Sequence, residues 1–337
     1  MQNSNKSYRY VFVCGLQRSG TSVLGRNLGR LQNVTSFKNT GVRGDEGQFL
    51  QDIYPDDYEC GGSGRFGFDP RAHLTETSPL LTRESMAKLR ANWNGYWDKS
   101  KSIRLEKSPG NLIKTRFLQA VFPNSCFVII RRHPLPVSMA TQKWKVSAPS
   151  LYRLIEHWLH CHELFEQDKK YLKHVYELKY EDYISDPDKY HREIANFIDT
   201  NSLTDEPMEE LTDIHDKKYF QRWSDLVTKS FFKTYYQYIA KKYEPRLSRY
   251  GYSLMTSLAN GGAMLNDGRK VDSALGPLYC LGADTSAFLW RSGIRTRAYI
   301  KRRIKAVLPE FVLTKIRRYR QKAALSKERT NLVSPQA

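Results

Sequence analysis

Acidic residues are scarce in this chain: 35 Asp and Glu stand against 54 Lys and Arg, a formal net charge of +19 over 337 residues. That balance excludes an acidic solvating segment and favours anionic ligands, polyanions or an anionic membrane surface as partners. Long apolar runs are missing too. Tyr10 to Leu16 is too short for a membrane span or a signal peptide, so a cytoplasmic protein is expected, with peripheral membrane contact compatible with the charge. Cysteine is sparse and dispersed, at Cys14, Cys60, Cys126, Cys161 and Cys280. An odd, unpaired set reads as reduced structural thiols rather than a disulfide framework. No internal repeat is visible.

What is present begins with Tyr10-Val11-Phe12-Val13-Cys14-Gly15-Leu16-Gln17-Arg18-Ser19-Gly20-Thr21-Ser22. A β-branched and aromatic run predicts a buried strand, Gly15 and Gly20 bracket a tight loop, and Val23 to Leu31 has helical spacing. Strand, Gly-bounded loop and helix N-terminus together form an anion site. The loop has the length of the phosphate-binding pattern GxxxxGK[ST], but Thr21 stands where the lysine belongs and Arg18 supplies the cation instead. Likewise Cys126 to Ile130, a continuous apolar run that fits a central parallel strand, ends in Arg131-Arg132-His133-Pro134. Kinases and ATPases place an acidic metal ligand there. Both departures argue against magnesium chemistry and for a second anion site, so no metal is expected.

Further strands are predicted at Ile103–Lys107 and Val175–Tyr180. Helices are predicted at Gln48–Tyr54, Leu80–Trp93 (from a start at Thr77-Ser78-Pro79), Asn111–Phe122, Pro136–Trp144, Leu151–Tyr171, Pro187–Thr200 and Trp223–Tyr243. Alternating strands and helices predict an α/β fold with a doubly wound parallel sheet. Asn33 to Gly47 reads as a polar, Gly-punctuated connection, and Cys60 to Gly67 as a glycine-rich loop able to move over a substrate. Beyond Gly251-Tyr252 lies irregular sequence, then a basic amphipathic stretch from Arg291 to Lys322 whose only acid is Glu310. It reads as a helix pair for an anionic membrane or polyanion. His157, His160, Cys161 and His162 fit a packed helix face better than a metal site.

At the loop Gln17-Arg18-Ser19-Gly20-Thr21-Ser22 the chain resembles the sulfotransferases, whose loop for the phosphosulfate of 3′-phosphoadenylyl sulfate (PAPS) reads close to PRSGT[ST]. The resemblance implies a P-loop-like fold and a PAPS site at Arg18, Ser19, Gly20, Thr21 and Ser22. It implies that Arg132, in Arg132-His133-Pro134, grips the 3′-phosphate with a helical serine. That serine's place is held by Ala140, leaving Ser138 and Thr141 as candidates, with Ser138 favoured. Lys107, in Glu106-Lys107-Ser108-Pro109, matches the lysine on the bridging oxygen, where charge develops on the leaving phosphate. The histidine base of cytosolic members is replaced by Pro109.

Relatives with a glutamate base carry it on the loop after the first helix. That makes Glu46 the choice among Asp45, Glu46, Glu76 and Glu106. Tyr180, in Leu178-Lys179-Tyr180-Glu181-Asp182, and Arg222, in Lys218-Tyr219-Phe220-Gln221-Arg222-Trp223, extend the implied nucleotide site. The resemblance runs from Tyr8 to Leu254, so residues 1–254 are expected to form the sulfotransferase domain and 255–337 a linker and basic helical extension. Relatives in the Golgi carry an N-terminal anchor; none is visible here, which points to a bacterial-type or cytosolic protein. Trp93, Tyr96, Trp97 and Trp144 would suit stacking on sugars, so a glycan hydroxyl is the preferred acceptor. No nucleic acid is expected. The rival readings are a P-loop kinase-like phosphotransferase and a non-catalytic polyanion-binding protein.

Overall fold

The computed structural model describes residues 8–143, 150–201, 204, 207–209 and 214–255, and towards the C-terminus 275–276, 278–286 and 289. Its sheet is built from β1 (Arg9–Cys14), β2 (Val34–Ser36), β3 (Ile103–Lys107), β4 (Ser125–Arg131) and β5 (Val175–Lys179). Their order is β2-β3-β1-β4-β5 and each described pairing is parallel, with Val11 beside Leu105 on one side and Cys126 on the other.

Side chains alternate across a strand, so one apolar run feeds two cores. Phe12, Cys14, Phe127 and Ile129 enter one with Trp93, Phe117, Trp158 and Phe165. Val11, Val13, Val128 and Ile130 enter the other with Leu24, Leu28, Tyr183 and Ile194. Burial on both faces is why these strands read as unbroken hydrophobic sequence.

The helices that cover the faces are α1 (Thr21–Leu28), α2 (Arg83–Asn94), α3 (Thr115–Val121), α4 (Pro134–Gln142), α5 (Leu151–Asp168), α6 (Tyr180–Ser185), α7 (Pro187–Phe197), α8 (Ile214–Thr228) and α9 (Lys233–Leu247). This is the doubly wound α/β fold expected. The chain winds outward from β1 to β2 and β3, then crosses to β4 and β5. The loops after β1, β3 and β4 therefore meet at the carboxyl edge where the winding reverses, the place where open α/β sheets bind ligands.

Several element boundaries differ from expectation. The polar connection after α1 contains a short edge strand, β2, three residues long. Helix α2 starts at Arg83 rather than near Thr77, because Thr82 Oγ1 caps it by accepting the Ser85 N–H at 3.1 Å. Asn111–Phe122 divides into a 3-10 turn, Pro109–Ile113, and α3. Gln48–Tyr54 keeps only a 3-10 turn at Gly47–Phe49. The single helix expected over Trp223–Tyr243 is two, α8 and α9. Between them the Ser230 hydroxyl accepts the Phe232 N–H at 3.1 Å, a local bond that competes with helix continuation.

The glycine-rich Cys60–Gly67 segment packs against α5 at Gly64 and Gly67. Gly67 donates its N–H to buried His157 Nε2 at 3.1 Å, and a side chain on Gly64 would strike Leu154 of α5. Trp144 and the basic stretch Arg291 to Lys322 lie outside the described residues. Among those described, no helix is long and apolar enough to cross a membrane.

Candidate active site

The turn between β1 and α1 is tight: the Ser19 N–H donates to Leu16 O at 3.0 Å, and Leu24 closes the first helical turn onto Gly20 at 3.1 Å. Arg18 and Gly20 both take left-handed backbone angles, φ +72° and +95°. At Gly20 this is combined with a close approach, since a Cβ would sit 2.6 Å from the Tyr180 ring. Only glycine meets both demands. No side chain caps α1 among the described residues, and its first turn holds no acid. Ser19 Oγ is buried with no hydrogen-bond partner among them. An orphaned hydroxyl beside uncapped helical N–H groups and Arg18 fits the phosphosulfate end of PAPS.

Arg132, just past β4, reaches the same turn. Its guanidinium donates to Arg18 O at 2.8 Å, stacks 4.0 Å over the Tyr180 ring and pairs with Asp216 of α8. Arg18 and Gly20 of the loop motif, Arg132 of a second motif and Tyr180 of a third are thus brought together. The turn bearing Arg132 is braced by Glu181, which accepts the His133 N–H at 2.8 Å and the Tyr252 hydroxyl at 3.0 Å. Burial pushes the His133 imidazole down to about 4, so it stays neutral and its Nδ1 caps α4 by accepting the Leu135 N–H at 3.1 Å.

The residues expected to join Arg132 sit on α4 and α8. Ser138 is buried, its hydroxyl without a partner among the described residues, in a void of about 10 Å³ beside Leu16, Gln17 and Gly64. The Thr141 hydroxyl donates to Val137 O at 2.8 Å within its own helix. Arg222 is exposed on α8, where its charge acts on the Tyr236 hydroxyl of α9.

Lys107 ends β3 and turns towards the loop after α1. Its ammonium donates to Glu46 Oε1 at 3.0 Å and to Gly44 O at 3.1 Å. α1 packs close enough to this lysine that a Cβ on Gly25 would lie 3.1 Å from Lys107 Cβ and Cγ. A pocket of about 330 Å³ opens between Ser22 and Arg26 of α1, Asp45 and Lys107. Burial pushes the Glu46 carboxyl up, while Lys107 and then Gln48, whose amide donates to Oε2 at 2.6 Å, oppose that shift.

The other acids are committed to structure. Glu76 pairs with Arg116 at the surface. Asp45 accepts the Thr40 N–H at 2.8 Å and its hydroxyl at 2.6 Å. Glu106 is buried and accepts the Gly47 N–H at 2.8 Å, the Ser108 hydroxyl and the Asn111 amide. With Trp93 Nε1 donating to Gly47 O at 3.0 Å, Glu106 fixes the segment that carries Glu46.

Sequence patterning missed Asp216, Gly25, Asp57 and Gln48, because none belongs to a motif. Trp93 and Trp97, considered for sugar stacking, are core residues, and Tyr96 is exposed. Of the histidine cluster, His157 accepts from the Gly67 backbone and His162 Nδ1 contacts Trp158 O at 2.7 Å, both buried.

A family model described as "Sulfotransferase family" matches residues 10–205. Among solved structures, a sulfotransferase from Alicyclobacillus acidocaldarius is 15% identical, aligned over 65% of this chain and 92% of its own, with a TM-score of 0.39. A sulfotransferase from Mycobacterium avium is 12% identical over 73% of this chain and 78% of its own, with a TM-score of 0.45. A retinol dehydratase solved with androsterone and the inactive cofactor PAP is 15% identical over 86% and 82%, with a TM-score of 0.30. Among curated proteins no significant match was found.

Proposed function

The chain belongs to the sulfotransferase family of PAPS-dependent enzymes, and on that premise we propose that it sulfates a glycan hydroxyl, with Glu46 as base and Lys107 on the leaving group. When bound, PAPS supplies a sulfuryl group on a phosphate leaving group. The anion loop, Arg18 to Ser22, then holds the phosphosulfate by backbone N–H groups, the Ser19 hydroxyl and Arg18. Arg132, stacked on Tyr180, meets the 3′-phosphate by exchanging Asp216 for it. Lys107 neutralises charge that appears on the leaving oxygen, an interaction stronger in the transition state than before it. Glu46 accepts the acceptor's proton, which needs a carboxylate within hydrogen-bond reach.

The observation that carries this reading is the contact between Lys107 and Glu46 beside the anion loop, 3.0 Å apart. The cation and the carboxylate that this reading assigns to one transfer step come from β3 and from the segment after α1.

The acceptor preference rests on a groove of about 1030 Å³ next to Gln48, lined by Phe49, Asp52, Glu59, Thr75, Thr77 and Ser78 among others. With Arg71 and His73 beside these polar groups and Ile53, Leu74 and Leu80 beside Phe49, the wide trough offers a polyhydroxylated chain both hydrogen-bonding groups and stacking surface. The test is sulfate transfer from PAPS across a panel of neutral glycans, acidic glycans and phenols, beside calorimetric titration with 3′,5′-ADP and with ATP plus magnesium. Metal-independent 3′,5′-ADP binding with turnover on glycans is expected. Preference for ATP with magnesium overturns the activity, and turnover confined to phenols overturns the acceptor class.

A further inference from the structure

The segment bearing Glu46 is held by a residue that none of the motifs contains. Asp57 is buried, 1% exposed. One of its oxygens accepts Gln17 Nε2 at 2.8 Å, and the other lies 3.5 Å from the ammonium of equally buried Lys114. Gln17 directly precedes Arg18 in the anion loop. The Asp57 backbone N–H, in turn, donates to Gln48 Oε1 at 3.0 Å.

That last bond decides the chemistry of the neighbouring contact. A backbone N–H can only meet the oxygen of an amide, so the Gln48 nitrogen must point the other way. It donates to Glu46 Oε2 at 2.6 Å, with a longer contact of 3.5 Å to Asp57 Oδ2, while Lys107 occupies Glu46 Oε1 at 3.0 Å. A glutamate otherwise free to rotate is held at both oxygens, and the rotamer entropy is lost before substrate arrives. Asp57 serves as an anchor because Lys114, Gln17 and the Gln48 amide meet its carboxylate; a buried carboxylate without partners would not stay in place.

We propose that Gln48, oriented by Asp57, is a positioning residue for sulfuryl transfer: it aims the Glu46 carboxylate at the acceptor hydroxyl and, through Asp57 and Gln17, ties that aim to the anion loop. The proposal rests on Glu46 being the base. Charged groups acting on Glu46 are Lys107 and Glu106 of β3, and Asp57. Against these, Gln48 contributes a neutral donor that favours the ionised carboxylate.

The test is the pH profile of kcat, with 3′,5′-ADP affinity and melting temperature followed in the same variants. Gln48→Leu removes the donor at similar volume, and Gln48→Met does so with an unbranched stem should the first not fold. Gln48→Glu adds a second carboxylate beside Glu46. Deleting a donor to the charged form, or adding a like charge, raises the pKa of the base. The acidic limb of kcat should therefore move to higher pH, further in Gln48→Glu, with kcat down about tenfold or more and 3′,5′-ADP affinity within about twofold.

A merely structural role would lower melting temperature and leave the limb where it is. Limbs that coincide with the wild type overturn the proposal. Glu46→Gln, measured alongside, separates the two failures. If it keeps wild-type turnover, the base reading falls and the positioning role with it. If it abolishes turnover while the Gln48 limbs do not move, the positioning role alone falls.

Discussion

Lys107 Nζ and Glu46 Oε1 lie 3.0 Å apart, with side chains only 10% and 16% exposed. The cation expected at the leaving group and the carboxylate expected as base hold one another at rest. Lys107 opposes the effect of burial on Glu46, which by itself drives the carboxyl towards neutrality. Burial still pushes the Glu46 carboxyl above its ordinary value, the direction that suits a base working near neutral pH.

Lys107→Ala should lower kcat by about 10²-fold or more while 3′,5′-ADP binding weakens little, because its interaction grows as charge reaches the leaving oxygen. The same change removes the main influence holding the Glu46 pKa down, so residual activity should show an acidic limb at higher pH. Steady-state kinetics from pH 5 to 9 check both effects. Unchanged turnover would remove Lys107 from the mechanism.

Arg132→Ala should weaken 3′,5′-ADP at least about tenfold, the loss of one charge-assisted phosphate contact. Adenosine 5′-phosphosulfate, which lacks the 3′-phosphate, should bind wild type and variant alike. Calorimetry with both ligands distinguishes loss of a phosphate contact from collapse of the turn that Glu181 braces.

Gly20→Ala should cost about 1–3 kcal/mol of stability through its left-handed backbone alone, and more from the clash with Tyr180. A lower melting temperature together with lost 3′,5′-ADP binding is expected. A variant that melts and binds like wild type would show that the turn relaxes freely.

Glu106 gives a pH dependence of stability. Its carboxyl is pushed up to about 7 by burial, against an ordinary value of 4.5, with the hydrogen bond from Ser108 the first influence opposing it. A raised carboxyl pKa means the folded state holds a proton that the unfolded state has released. This contribution is therefore complete below the ordinary value and is lost as pH rises towards 7. Melting of the wild type should fall between pH 5 and 8 more than melting of Glu106→Gln, which cannot ionise. Parallel slopes in differential scanning calorimetry would contradict the assignment.

The strands and the anion loop were legible because their causes are local. Val11, Phe12 and Val13 are apolar whichever face they line, since both faces are buried, and Gly15 and Gly20 bracket a turn by their own conformational freedom. Arg18, Lys107, Arg132 and Tyr180 were legible as members of spaced motifs. The break between α8 and α9 was not, because it turns on one serine bonding its own backbone. Nor was the anchoring of Cys60–Gly67: the glycines that signal mobility in sequence are, at Gly64 and Gly67, what lets the segment lie against α5.

Sequence alone determined strands β1, β3, β4 and β5, the anion loop and the cations proposed to serve it, because a period of two, a glycine and a fixed charge act within a few residues. Tertiary structure decided that Glu46, sixty-one positions from Lys107, is the acid that meets it, while Glu106, its immediate neighbour in sequence, is buried to hold Gly47. It also decided that Asp57 and Gln48 link Glu46 to Gln17 of the loop. Those pairings depend on which face of β3 each side chain leaves and on how the segment after α1 folds back across the sheet edge, distances that no spacing along the chain encodes.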